Sequence, residues 1–171
     1  MKTIFITLII SSLGLMAFIE SQPKVIQKNT VKAITFSELQ DRLQNTNDQL
    51  LVCNFWATWC KPCVEEMPYF EQLHTNYQDE NVTVLFVSLD NPSLLKKRVQ
   101  KFVDEKGIKA EVVVLSEPNL SQDEWIPKVN ETWQGDIPVT IFVNSAKGVR
   151  EFHTGSFEDY NELETKLKTV M

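Results

Sequence analysis

The chain is expected to fold as an α/β protein, a central sheet with helices on both faces, and three observations carry that expectation. Strand-like and helix-like runs alternate in the order β-α-β-α-β and then β-β-α, the succession that packs helices onto a sheet. The apolar run Leu50–Trp56 is followed by Ala-Thr-Trp-Cys-Lys-Pro-Cys63 and then at once by a helical stretch. That order puts two thiols at a strand's carboxyl end, where open α/β sheets place their chemistry. With 171 residues, 43% of them hydrophobic and 23% charged, the chain can bury a sizeable core, so its three cysteines are not needed as a scaffold of staples.

Residues 1–21 differ from the rest. A short basic start, Met1-Lys2-Thr3, precedes the apolar, uncharged run Ile4–Ile19, which fits a secretory signal peptide or an N-terminal membrane anchor. Either reading sends the remainder outside the cytoplasm, to a periplasm or cell envelope. Residues 22–34 read as a polar tether before a domain spanning residues 35–171. Thr35-Phe-Ser-Glu38 has the spacing of a capping box and starts a helix to Gln44. After a turn at Asn45–Asp48, Leu50–Trp56 is a buried strand in which Cys53 is a small core hydrophobe.

From Cys60 a helix runs to Tyr77, with Pro62 tolerated in its first turn and Pro68 expected to kink it. Met67, Phe70, Leu73 and Tyr77 recur at helical spacing and face the core. Val82–Leu89 is a second strand, Leu94–Lys106 an amphipathic helix stopped by Gly107, and Glu111–Leu115 a third strand. The polar connection 116–131 leads to a short helix placed at Ile126–Trp133. Strands at Val139–Val143 and Val149–Thr154 flank a turn at Ser145–Gly148, and Phe157–Val170 closes as a helix.

Cys60 and Cys63 can close a small disulfide ring when they open a helix. The first sulfur there meets the positive end of the helix dipole, which lowers its pKa and makes it an attacking thiolate near neutral pH. Cys63 then lies where it can resolve a mixed disulfide. A zinc site is the competing reading, but it needs two further ligands, and only Cys53, His74 and His153 remain. A structural disulfide is the other, though so short a loop constrains the unfolded chain little. The formal charge of −6 and the lack of a basic cluster with interleaved aromatics argue against nucleic acid as a partner.

Asn54-Phe-Trp-Ala-Thr-Trp-Cys-Lys-Pro-Cys63, Glu65-Glu66-Met67-Pro68 and Asp136-Ile-Pro-Val-Thr-Ile-Phe142 resemble the thioredoxin superfamily, and within it the TlpA/ResA-like extracytoplasmic thiol–disulfide oxidoreductases. The resemblance implies a thioredoxin fold with a central mixed sheet and an inserted strand and helix between Cys63 and Pro138. It implies Cys60 as nucleophile, Cys63 as resolving thiol and Glu66 as the acid that takes the resolving thiol's proton. Trp59, Lys61 and Pro62 would border the disulfide, and Ile137-Pro138 would be a cis bond whose preceding backbone binds client peptide. Asn54 stands where thioredoxin itself has a buried aspartate. No metal or cofactor is implied beyond the Cys60–Cys63 disulfide. The implied partners are a disulfide-bearing client, apocytochrome c among the compatible ones, and a membrane thiol donor of the DsbD/CcdA type.

The direction of electron flow is expected to be reductive. Lys61 favours the Cys60 thiolate, but an exposed charge contributes only about 0–1 kcal/mol. Roughly 7 kcal/mol separates a thioredoxin-like potential from a strongly oxidising one. A more oxidising oxidase or isomerase is one alternative. A Cu(I)-delivery protein of the same fold, using Cys60, Cys63 and His153, is another. His153 reads more simply as an exposed or satisfied strand histidine. A thiol peroxidase would need Pro-x-x-x-Thr-x-x-Cys, and Cys53 and Ala57 stand where the proline and threonine belong.

Overall fold

A computed structural model describes residues 29–117 and 119–171. The expected leader or anchor, residues 1–21, and the tether up to residue 28 lie outside the described residues. Six strands form one sheet in the order β1-β4-β3-β2-β5-β6. They are β1 (Lys32–Ile34), β2 (Leu50–Trp56), β3 (Val82–Ser88), β4 (Glu111–Leu115), β5 (Val139–Asn144) and β6 (Val149–Thr154). The first four run parallel, and β5 and β6 are antiparallel to their neighbours, so the sheet is mixed.

The helices are α1 (Phe36–Gln44), α2 (Lys61–Tyr77), α3 (Gln100–Lys106), α4 (Gln122–Val129) and α5 (Tyr160–Val170). β2 is central and buried at all seven positions, as a strand covered on both faces must be. Its side chains alternate between two cores. Val52 and Trp56 pack with Met67 and Phe70 of α2, Val103 of α3 and Leu163 of α5, whereas Leu51, Cys53 and Phe55 pack with Leu39 of α1 and Trp125 of α4. Asn54 belongs to the first series, and this parity aims a polar side chain under α2.

Three local expectations need correction. Residues 32–34 are not tether but strand β1, pairing in parallel with β4 from Lys32↔Val113 to Ile34↔Leu115. Three residues with two exposed carry too little periodicity to be read as a strand. The short helix at 126–133 lies instead at Gln122–Val129, fixed by a second capping box in which Ser121 and Glu124 bond each other. The helix expected over 94–106 opens as a 3₁₀ turn (Pro92–Leu94) and a π-type stretch (Leu95–Val99) before becoming α-helical. Gly107 ends it in the left-handed conformation, φ +65°, with its N–H on the Asp104 carbonyl. The interval between Cys63 and Pro138 holds β3, β4, α3 and α4, with β4 wedged between β1 and β3.

Candidate redox site

Strand β2 and helix α2 are joined by Ala57–Cys60, and the thiol pair lies on this join. Cys60 is the N-cap of α2, and the Cys63 N–H donates to its sulfur at 3.4 Å. Cys60 and Cys63 are disulfide-bonded with Cα atoms 5.3 Å apart. Cys63 is fully buried and Cys60 is 5% exposed, so the first sulfur is the one an incoming group can reach. Trp59 beside them is 65% exposed, an unusual setting for so large an apolar side chain. Lys61 is also exposed, and its ammonium lies 3.5 Å from Glu65 one turn on, which draws part of its charge away from the thiols. Pro62 occupies the first turn of α2, where a missing N–H leaves no bond unmade.

A second segment comes up against the pair from β5. The Ile137–Pro138 bond is cis, and the Ile137 carbonyl oxygen is 3.8 Å from the Cys60 sulfur. The segment is fixed from both sides: the Trp133 indole N–H donates to the Asp136 carbonyl at 2.7 Å, and the Gly155 N–H to the Pro138 carbonyl at 3.0 Å. Trp133 is itself held in an aromatic cluster with Phe55, Trp125 and Phe152.

One turn past Cys63 on α2 lies a buried carboxylate. Glu65 is exposed and Glu66 is 2% exposed, because adjacent helical positions point apart. Glu66 follows Cys63 by three residues and so shares its side of α2. Its Oε1 accepts from the Asn54 amide at 3.0 Å and its Oε2 from the Phe157 backbone N–H at 2.9 Å. Burial outweighs both donors and pushes its pKa up to about 7. Asn54 also donates to the Thr140 hydroxyl at 3.1 Å, and Thr140 pairs with His153 across β5–β6, so a polar row crosses an otherwise apolar face.

His153 is neither exposed nor satisfied. It is half-buried, stacked on Phe157 at a centroid distance of 4.0 Å, and its Nε2 has no hydrogen-bond partner among the described residues. Burial lowers its pKa. Among the described residues no cluster of three or more histidine, cysteine, aspartate or glutamate side chains is arranged to hold a metal.

Asp90, just past β3, was not legible in the sequence as a site residue. It is 2% exposed and accepts from the Thr58 N–H at 2.8 Å, the Thr58 hydroxyl at 2.6 Å and the Ser88 hydroxyl at 2.9 Å. These bonds pin the loop that presents Trp59 and Cys60.

A dithiol–disulfide couple at the head of a helix, on a mixed sheet of this order, defines a thioredoxin-like thiol–disulfide oxidoreductase. Comparison with known proteins agrees. The chain belongs to the AhpC/TSA family, which it matches over residues 25–152. It is 28% identical to a thiol-disulfide oxidoreductase ResA of Geobacillus thermodenitrificans, over 91% of this chain and 87% of the relative. It is 30% identical to the thioredoxin-like protein YneN of Bacillus subtilis, over 78% of this chain and 72% of the relative. Among solved structures, a thioredoxin-related protein from Neisseria meningitidis serogroup B superposes with a TM-score of 0.62 at 23% identity, covering 75% of this chain and 89% of that one. The chain is thus a thiol–disulfide oxidoreductase of the thioredoxin-like kind, and its substrates carry disulfides.

Proposed function

We propose that the protein reduces disulfides of client proteins outside the cytoplasm, with Cys60 as nucleophile, Cys63 as resolving thiol and Glu66 as proton acceptor. The observation that carries this reading is the burial difference between the two sulfurs together with a buried carboxylate one turn after the inner one. In the reduced form the Cys60 thiolate, favoured by the helix N-terminus, attacks one client sulfur and expels the other as a thiolate. Cys63 passes its proton to Glu66 and attacks the Cys60 sulfur of the mixed disulfide, releasing the second client thiol. Two electrons have moved to the client, and the enzyme is left as the disulfide.

Client backbone lies against the Asp136–Pro138 segment, between the exposed Trp59 and Ile137. Lys61 and Pro62, both exposed at the start of α2, extend the surface offered to the client. The cycle closes when a membrane thiol donor of the DsbD/CcdA type returns two electrons to the Cys60–Cys63 disulfide, and no metal or further cofactor takes part. The apolar run Ile4–Ile19 supports export or anchoring. Among the described residues no helix is long and apolar enough to cross a membrane.

Cys63→Ser should accumulate mixed disulfides through Cys60 in the cell envelope, identified by reducible cross-links. Finding no linked protein would overturn the client assignment. A measured reduction potential above about −150 mV would reverse the direction of electron flow.

A further inference from the structure

The helical arm Leu95–Lys106 carries the strongest concentration of positive charge in an acidic protein. Lys96, Lys97, Arg98 and Lys101 fall within six residues, all exposed, and no acidic residue occurs between Asp90 and Asp104. Lys101 has Glu105 as a partner at 3.6 Å, while Lys96, Lys97 and Arg98 make no ion pair among the described residues. The arm's other side is fixed to the core by Val99 and Val103, so the charges are held outward.

The same arm fixes the incoming chain. The Gln100 side chain accepts from the Val31 N–H at 2.9 Å and donates to the Asn29 carbonyl at 2.9 Å. The Asn29 amide donates to the carbonyls of Ile108 and Ala110, just past the end of the arm. The apolar run Ile4–Ile19 therefore precedes by only residues 20–28 a point tied to the basic arm. Nine residues reach at most about 30 Å.

We infer that the exposed face of the Leu95–Lys106 arm is a docking surface for an anionic lipid bilayer, with residues 4–19 retained as the anchor. A short tether fixed beside a cluster of uncompensated cations brings that cluster to the headgroups, where each added cation improves partitioning by about five-fold. On its core side the arm is braced by the buried Trp56 ring, which packs on Phe102 with centroids 5.2 Å apart, so the arm is seated on the strand that leads to the redox loop. The inference is independent of the client assignment.

The test is lysine footprinting with an acetylating reagent on the full chain reconstituted into vesicles. Acetylation of Lys96 and Lys97 should slow by about five-fold or more in phosphatidylcholine vesicles containing phosphatidylglycerol, relative to phosphatidylcholine alone. Lys128 on the opposite sheet face should be unchanged. Salt at about 0.5 M, which shortens the screening length to roughly 4 Å, should abolish the difference. In the triple variant Lys96→Gln/Lys97→Gln/Arg98→Gln the lipid dependence at Lys101 should disappear while insulin reduction in solution is unchanged. Equal rates in the two lipids would overturn the inference, as would protection by polyglutamate but not by anionic vesicles, which would assign the face to an acidic protein.

Discussion

Replacing Glu66 by glutamine removes a carboxyl group whose ionisation the fold resists. Its pKa is about 7 in the folded chain against 4.5 for an unperturbed glutamate side chain, because burial disfavours the charge more than the Asn54 and Phe157 donors favour it. The folded state therefore holds a proton that the unfolded state has already lost between those two values. Stability is fully present below pH 4.5 and falls as pH rises toward 7, at about 1.4 kcal/mol per pH unit, or roughly 3 kcal/mol in all.

Glutamine cannot ionise and should lose none of this. It also carries a fixed penalty of about 1–3 kcal/mol, because its amide can offer only one oxygen to two donors that now face it, at 3.0 and 2.9 Å. Urea denaturation of the oxidised protein, in which neither active-site sulfur titrates, isolates the effect. Glu66→Gln should be less stable than the parent at pH 4.5 and should gain on it by about 3 kcal/mol by pH 8. A stability difference that stays constant over that range would refute the assignment of a buried, proton-holding Glu66. In the reduced enzyme the same substitution should slow resolution of the mixed disulfide by about 10²-fold or more near neutral pH, the usual contribution of a positioned proton acceptor.

Asp90→Asn turns an acceptor of three hydrogen bonds into a group that opposes some of its donors. It should destabilise the fold by about 2–3 kcal/mol in urea titration and lower insulin reduction, with Thr58→Val reproducing part of the loss. Asn54→Asp places a second carboxyl at 3.0 Å from Glu66. The pair should then titrate in two steps, one above and one below the single midpoint of the parent, seen in the pH profile of thiol exchange. Treatment with copper and zinc chelators should leave insulin reduction unchanged, and a loss restored by Cu(I) would favour the delivery reading of Cys60, Cys63 and His153.

Much of the fold was legible because its signals are local. The capping box at Thr35 and Glu38, the buried run Leu50–Trp56 and the glycine that stops the basic arm each declare themselves within a few residues. β1 escaped because a short edge strand takes its identity from β4, about eighty residues away. The thiols and the burial of Glu66 rather than Glu65 follow from adjacency and helical direction. Asp90 and Trp133 did not, since their partners Thr58 and Asp136 are chosen by the tertiary fold or by loop geometry with no periodicity. The setting of His153 was not legible either, because alternation along β6 says which face a side chain takes, not that Phe157 will stack on it.

The most direct measurement is the alkylation rate of each reduced cysteine as a function of pH, resolved by mass spectrometry. Cys60 should react with a midpoint clearly below the free-thiol value of about 8.5, and Cys63 should stay unmodified while the fold is intact. A Cys60 no more reactive than a free thiol, or a Cys63 that reacts first, would contradict a reachable nucleophile backed by a fully buried resolving partner.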